Sequence, residues 1–403
     1  MKFGYLLVIC VFTFSCGKQK GNAKLENGRY RAELAINDSL DIPFIFEVHN
    51  PTKLSVFNAE EDIEVTEITY SEDSVYIQFP VFEGYITAKI EENELNGHFV
   101  KPALKRVMQF NAKRNDLRFS AKIAPKADVS GNWETIFSPN SEEDKYLAKG
   151  IFKQEGQKVT GTFRTTTGDY RFLEGVLNGS TLQLSTFDGA HAFLFKAEVT
   201  DSTMNGMFYS GNHWKELFIA KKNESYELPD ANTLTFLKEG YDEVAFSFKD
   251  EDGNLVSLDE DRFKNKIILL QIMGTWCPNC LDESRYYSEF YKNGQNEDLE
   301  IIALAFEYVK SEEKAFENIK RLRENTGITY PILLAQYGSA SKVKANEKLP
   351  MLNHVLSYPT TIFIDKAGKV RKIHTGFNGP ATGEKYLQFK NEFEDFVEML
   401  LSQ

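Results

Sequence analysis

Hydrophobic and polar residues follow two different patterns along this chain, and the change falls near residue 230. From Leu25 to about Asn223, short segments alternate apolar with polar residues, as in SVYIQF (74–79) and TLQLSTF (181–187), and Gly, Asn and Asp separate them. A period of two, rich in Val, Ile, Thr and Phe, is typical of antiparallel strands with one buried face. LNGST at 177–181 predicts a hairpin turn. We therefore predict an all-β front half.

The front half also repeats itself at an offset of slightly more than a hundred residues. Three landmarks recur in the same order: GRY (28–30) with GNW (131–133), LNGHF (95–99) with MNGMF (204–208), and FNAK (110–113) with FIAK (218–221). Each copy is long enough to form its own small barrel or sandwich, unlike a solenoid repeat. We predict two antiparallel β units, residues 25–114 and 127–223. No convergent charged set marks a ligand site in them, so a binding or spacer role stays open.

The back half alternates strand and helix patterns. KIILLQIMGTW (266–276) is an apolar, β-branched run typical of a buried central strand. Further strands are predicted at 299–307, 330–336, 360–365 and 369–376, and helices at 310–327, 339–349 and 383–401. Strands that alternate with helices and end in a hairpin and a helix indicate an α/β domain with mixed strand direction, residues 240–403.

Composition and charge narrow the class of protein. The 403 residues are 42% hydrophobic and 13% aromatic, which suffices for two or three packed domains. The formal net charge of −12 disfavours a nucleic-acid partner. The four cysteines, Cys10, Cys16, Cys277 and Cys280, are too few for a disulfide scaffold.

The residues at the N-terminus follow a pattern that is typical of an export sequence. Lys2 precedes an apolar stretch, residues 3–14, that is shorter than the roughly 20 residues needed to span a bilayer, so we predict a signal peptide over residues 1–15. Ser15 before Cys16 resembles the lipobox of bacterial lipoproteins. This resemblance implies a lipid on Cys16 and a polar tether over residues 16–24. An ordinary signal peptide or a non-cleaved anchor is the alternative.

The C-x-x-C spacing of Cys277 and Cys280 at a predicted strand–helix junction indicates redox chemistry. Unpaired N–H groups and the helix dipole at the helix start favour the thiolate form of Cys277. Cys280, one turn later, lies within reach for a disulfide. Cys277 would attack a partner's disulfide, and Cys280 would then resolve the mixed disulfide. Half a zinc site is the alternative, but no second cysteine pair or nearby histidine accompanies the motif, and we predict no metal.

WCPNC (276–280) followed about 80 residues later by Tyr358-Pro359-Thr360 resembles the thioredoxin fold. It is more narrowly similar to the TlpA/ResA group of membrane-attached thiol–disulfide oxidoreductases. The resemblance implies a thioredoxin-like domain, with a mixed central sheet flanked by helices, and no cofactor other than the redox-active cysteine pair.

The resemblance also assigns roles to single residues. In the ResA-like group, a buried glutamate at the position of Glu283 transfers protons around the cysteines; a solvated acid in the first helical turn is the alternative, a role for which Asp282 is the better candidate. Ordinary thioredoxins carry a buried aspartate where Gln271 stands, and an amide cannot titrate. Gly376 matches a family glycine near the active face.

Other residues are expected to contact the partner. The resemblance implies that Pro359 follows a cis peptide bond, which leaves the backbone of Tyr358 free to pair with a partner peptide in β fashion. Thr360, Trp276 and Pro278 are expected to line the same surface, with Trp276 covering the cysteines.

These features favour a lipid-anchored disulfide reductase on the periplasmic side of the bacterial envelope. Its substrates would be protein thiols and disulfides, for example in cytochrome c biogenesis, and a membrane thiol transporter of the DsbD/CcdA kind would recharge it. A disulfide isomerase or oxidase with the same site is one alternative. A lipid-anchored binding protein in which the β units dominate is another.

Overall fold

A computed structural model describes residues 23–92, 94–294 and 296–403. The predicted signal peptide, Cys10 and Cys16 lie outside the described residues. In that part of the chain no helix is long and apolar enough to cross a membrane. Two β-rich units come first along the chain, and a unit of strands and helices follows.

The first unit is an up-and-down antiparallel sheet. Its order is β4-β3-β2-β1-β9-β8-β7-β6-β5, so the first strand pairs with the last. Buried residues alternate with partly exposed ones along the middle of β1, as the sequence pattern predicts. Within the described residues its strands are β1 (Gly28–Asn37), β2 (Leu40–Asn50), β3 (Lys53–Asn58), β4 (Glu61–Val65), β5 (Glu67–Ser71), β6 (Ser74–Gln78), β7 (Tyr85–Glu91), β8 (Glu94–Lys101) and β9 (Arg106–Arg114).

The second unit closes into a ring. Its order is β11-β10-β18-β17-β16-β15-β14-β12-β13, and β11 also pairs with β12. The ring leaves no free edge along those strands. Its strands are β10 (Gly131–Phe137), β11 (Tyr146–Glu155), β12 (Lys158–Thr165), β13 (Gly168–Asp169), β14 (Leu173–Asn178), β15 (Thr181–Phe187), β16 (Ala192–Val199), β17 (Thr203–Ser210) and β18 (Trp214–Lys222).

Both β units pair their first strand with their last in the same way. Gly28 opens β1 and Gly131 opens β10, while Phe110 and Phe218 lie in the closing strands β9 and β18. The predicted hairpin turn at 177–181 joins β14 to β15, where Asn178 pairs with Thr181. The duplication itself stays a prediction.

The third unit is a mixed sheet with helices, in the thioredoxin-like arrangement. The sheet order is β20-β19-β23-β22-β21-β24-β25; β21, β22 and β23 run parallel to one another, and β24 runs antiparallel to β21. The elements are β19 (Ser247–Lys249), β20 (Leu255–Ser257), β21 (Ile267–Met273), α1 (Pro278–Gly294), β22 (Leu299–Phe306), α2 (Glu312–Thr326), β23 (Ile332–Gln336), α3 (Lys342–Lys348), β24 (Thr360–Ile364), β25 (Val370–Thr375) and α4 (Glu384–Leu401).

Local sequence explains the central elements. Every residue of β21 is buried, because sheet and helices cover both of its faces. Helix α2 begins after Ser311, whose hydroxyl accepts the N–H of Lys314, and ends at Gly327 in a left-handed conformation with φ of 65°.

The thioredoxin-like unit begins before residue 240, the boundary that the sequence predicts. The N–H of Thr375 donates to Ala231 O at 3.0 Å, and Leu237 forms a bridge with Leu352. This segment contacts the rest of the unit through single hydrogen bonds and one isolated bridge, not through a strand. Its sequence therefore shows no alternating pattern that would predict the contact.

Candidate redox site

Cys277 and Cys280 stand at the junction of β21 and α1 and form a disulfide with their Cα atoms 5.2 Å apart. The N–H of Cys280 donates to Cys277 Sγ at 3.2 Å. Cys277 is 7% exposed, whereas Cys280 is fully buried. The outer sulfur therefore belongs to Cys277, and it faces backbone N–H groups that stabilise negative charge at a helix start.

The loop before β24 lies against the disulfide. The Tyr358–Pro359 peptide bond is cis, and Tyr358 O is 3.4 Å from Cys277 Sγ. The hydroxyl of Thr360 donates to Ser357 O at 3.0 Å, so it faces the loop itself. This loop, residues 357–360, is called the cis-proline loop below. It brings Tyr358 and Pro359 next to the cysteines.

Trp276 packs beside the same loop. Its indole N–H donates to Phe306 O at 2.9 Å, and its ring lies edge-on to Tyr358 with the centroids 5.6 Å apart. Pro278 is buried at the first turn of α1. The structure thus places Trp276 and Tyr358 beside Cys277. The expectation that Thr360 lines the partner surface was wrong, because Thr360 is fully buried at the start of β24 and its hydroxyl bonds to Ser357 O.

Glu283 is fully buried on α1, one turn after Cys280, on the same helix face. Its carboxylate accepts hydrogen bonds from Gln271 Nε2 at 2.8 Å, Thr361 Oγ1 at 3.0 Å and the Tyr287 hydroxyl at 3.2 Å. Burial raises the pKa of Glu283 to about 7, against the lowering effect of these bonds. The group can therefore hold or release a proton near neutral pH.

Gln271 has a contact that sequence reasoning missed. Its amide donates to Glu283 and exchanges hydrogen bonds with the hydroxyl of Ser284. Strand β21 and helix α1 meet here across twelve residues of sequence, so no local pattern reveals the contact. The amide orients the carboxylate of Glu283.

Glu307 is a second buried carboxyl that the sequence did not single out. It directly follows β22 and accepts the N–H of Thr275 at 2.8 Å and its hydroxyl at 2.7 Å. Burial raises the pKa of Glu307 to about 7. The one feature of the sequence that points to Glu307 is an acidic residue directly after an apolar strand. Glu307 holds the turn that leads into Cys277.

The expectation for Asp282 was wrong. Its side chain is buried and pairs with Arg171, a residue of the second β unit, rather than facing solvent in the first turn of α1. The sequence could not indicate this, because the partner lies more than a hundred residues away in another unit.

A family model described as Redoxin matches residues 229–387. The chain is 32% identical over 114 residues to the thiol-disulfide oxidoreductase ResA of Geobacillus thermodenitrificans, a match that covers 28% of this chain and 57% of that protein. For ResA of Bacillus subtilis, the identity is 29% over 140 residues, 35% of this chain and 69% of that protein. The chain thus spans little more than half the length of the first relative.

Among solved structures, a thiol-disulfide oxidoreductase from Bacteroides fragilis matches 37% of this chain and 99% of its own length, with 19% identity and a TM-score of 0.27. The family match, the sequence relatives and the C-x-x-C pair all fall in the third unit. In that unit this chain is similar to thiol–disulfide oxidoreductases of the ResA kind and matches the Redoxin family model.

Proposed function

We propose that this protein is a thiol–disulfide oxidoreductase of the cell envelope that reduces disulfides in partner proteins through Cys277 and Cys280. One observation carries the proposal: a disulfide at the start of α1 faces the cis-proline loop and has the buried carboxyl of Glu283 one turn behind it. The substrates are protein disulfides, and the redox-active pair itself is the only cofactor that the chemistry needs.

The reaction balances in two exchanges. The thiolate of Cys277 attacks one sulfur of the partner's disulfide, a bond forms between them, and the partner's other sulfur leaves as a thiolate that takes up a proton. Cys280 then loses its proton and attacks Cys277 Sγ, which releases the partner's second thiolate. Two electrons pass to the partner, and the Cys277–Cys280 disulfide forms again.

Glu283 serves the second exchange in this proposal. It accepts the proton of Cys280, because it lies one turn away on the helix and its pKa of about 7 is close to neutral pH, where a general base is most effective. Gln271 acts through Glu283 as a positioning residue.

The direction of electron flow rests on the resemblance to the ResA group and on the Pro-Asn dipeptide between the cysteines, which lacks the histidine of strongly oxidising sites. A membrane thiol donor of the DsbD/CcdA kind would reduce the pair, and cytochrome c biogenesis is one process that consumes such reducing power. A redox titration decides between this and an oxidase or isomerase. A reduction potential near the roughly −120 mV of strong oxidants contradicts the reductase direction.

The location in the envelope rests on Cys16 as the lipidated N-terminus of the mature chain. Metabolic labelling with a radioactive fatty acid should mark the wild-type protein but not Cys16→Ala. Equal labelling of the two proteins contradicts the anchor and leaves the redox chemistry untouched.

Trapping tests the nucleophile. Cys280→Ser should accumulate a partner bound through Cys277, in an adduct that a reducing agent releases. Cys277→Ser/Cys280→Ser is the matched control and should accumulate none. An equal set of adducts in both variants contradicts the role of Cys277.

A further inference from the structure

A turn of the second β unit lies against the redox site. Strands β12 and β13 are joined through Thr166 and Thr167, and the Thr165 hydroxyl closes the turn on Gly168 O at 2.9 Å. Gly168 has φ of 149°, which a side chain would not tolerate well. Residues 165–168 are called the cover turn below.

The cover turn contacts the cis-proline loop directly. The hydroxyl of Ser357 donates to Thr167 O at 2.8 Å. Gly376, whose N–H donates to Pro359 O at 2.9 Å, approaches the same turn so closely that a Cβ there would lie 2.8 Å from the carbonyl carbon of Thr167. The backbone of the turn thus lies beside Tyr358 and Pro359, where a partner's extended peptide would pair.

The residues that follow the turn hold the start of α1. Asn279, between the two cysteines, donates through Nδ2 to Asp169 O at 3.2 Å. The carboxylate of Asp169 accepts the N–H of Gly379 at 2.6 Å and, through its other oxygen, the N–H of Arg171 at 2.8 Å. Asp169 therefore ties the turn to the start of α1 and to the loop at Gly379 of the redox domain.

Arg171 adds a buried ionic junction of all three units. Its guanidinium pairs with Asp282 of α1, with Glu61 of the first β unit at 2.5 Å and with Asp188 of the second at 3.7 Å. A buried cation is costly unless it is paired in this way, and such networks specify one arrangement more than they add stability. The junction fixes where the cover turn sits.

We propose that the cover turn is a specificity element of the redox site, which rests on the function proposed above. Thiol–disulfide exchange requires access of one sulfur to another along the S–S axis. Cys277 and Tyr358 are each only 7% exposed, and the turn contacts their neighbours Ser357 and Gly376, so a small thiol reaches the disulfide, whereas a protein partner reaches it only after the turn has moved aside. A partner is thus selected by its ability to displace residues 165–168 from the cis-proline loop.

Two alkylating reagents of different size test this on the full-length chain carrying Cys280→Ser. Iodoacetamide is the small probe, a maleimide with a long polyethylene glycol chain is the bulky one, and mass spectrometry of the Cys277 peptide gives both rates. The ratio of bulky to small rates should be far lower in the folded chain than in the urea-unfolded chain. Equal ratios in the folded and the unfolded chain overturn the proposal.

Asp169→Ala should open the turn. The loss of a buried charged hydrogen bond should raise the rate for the bulky reagent on the order of tenfold and change the small-reagent rate little. Asp128→Ala is the matched control, since Asp128 accepts the N–H of Ser130 at 2.8 Å in the same kind of turn but is exposed. Identical rates in the two variants, with circular dichroism unchanged, overturn the assignment to the cover turn.

These outcomes are distinct from those of the trapping experiment. Alkylation of Cys277 requires no partner and no electron flow. If the ratio of bulky to small rates is lower in the folded chain, as expected, but trapping fails, only the redox function is contradicted. Successful trapping with equal rate ratios contradicts only the cover.

Discussion

Two buried glutamates flank the disulfide, and they are alike in burial but not in what they bind. Glu283 and Glu307 are both fully buried, and burial raises the pKa of each to about 7. Glu283 takes its hydrogen bonds from three side chains on three elements. Among its hydrogen bonds, Glu307 accepts one from the backbone N–H of Thr275 and one from the hydroxyl of the same residue.

The two sets of donors therefore respond differently to a change in the charge of the carboxyl group. Side-chain donors such as Thr361 and Tyr287 can rotate when the carboxyl of Glu283 changes its charge, because their hydroxyl hydrogens move freely. The N–H of Thr275 cannot rotate, and it needs the acceptor that Glu307 provides. We therefore expect changes at Glu283 to affect rates and changes at Glu307 to affect stability.

The largest expected effect is on the rate at Glu283. Glu283→Gln keeps the shape of the side chain but cannot accept the proton of Cys280, so the release of a reduced partner should slow on the order of 100-fold. Stopped-flow measurement of the second exchange gives the rate. Glu307→Gln is the matched control, and an equal slowing there would remove the distinction between the two residues.

A smaller effect is expected on stability at Glu307. Glu307→Ala leaves the buried N–H of Thr275 without an acceptor, which should lower the free energy of unfolding by about 2 kcal/mol. Urea unfolding measures this. Glu307→Gln retains an acceptor oxygen and should lose clearly less; a loss as large as that of the alanine variant contradicts the role given to the hydrogen bond.

Both glutamates should make stability depend on pH. Each pKa is raised from 4.5 to about 7 on folding, so the folded chain binds more protons between those values. The contribution is complete below pH 4.5 and is lost as the pH rises through 7, at about 1.4 kcal/mol per pH unit for each group. Urea unfolding across this range should show a shallower slope in Glu283→Gln and in Glu307→Gln; unchanged slopes would mean that neither group titrates there.

The smallest expected effect concerns one donor to Glu283. Tyr287→Phe removes a hydrogen bond that favours the carboxylate, so the pKa of Glu283 should rise further, by less than about one unit. The pH midpoint of the exchange rate reports the shift. Tyr286→Phe is the control on the same helix, because its hydroxyl bonds to Glu394 instead. A midpoint that moves equally in both variants argues against the contact.

Much of the redox unit could be predicted from local pattern. The strand predicted from the apolar run at 266–276 corresponds to β21 (Ile267–Met273), and the helix predicted at 383–401 corresponds to α4 (Glu384–Leu401). Periodicity reports which face of an element is buried, and both elements bury theirs within one unit. The placement of Cys277 and Cys280 at a helix start followed from the same pattern.

Contacts between distant elements could not be predicted. The bond between Gln271 and Glu283 joins a strand to a helix, and the ion pair of Arg171 with Asp282 joins two units. Nothing near Asp282 in sequence distinguishes a buried acid from a solvated one, since the partner that neutralises it is supplied by the tertiary fold. The cover turn was missed for the same reason.

The short connection between the second β unit and the redox unit has a further consequence. Strand β18 ends at Lys222, and Ala231 already accepts a hydrogen bond from Thr375 of the redox unit. A segment tethered by so short a linker has an effective concentration on the order of millimolar at its site. Any partner of Cys277 therefore competes with the cover turn, whose effective concentration does not depend on the protein concentration. The apparent affinity of the partner reflects this competition as well as the partner's own contacts.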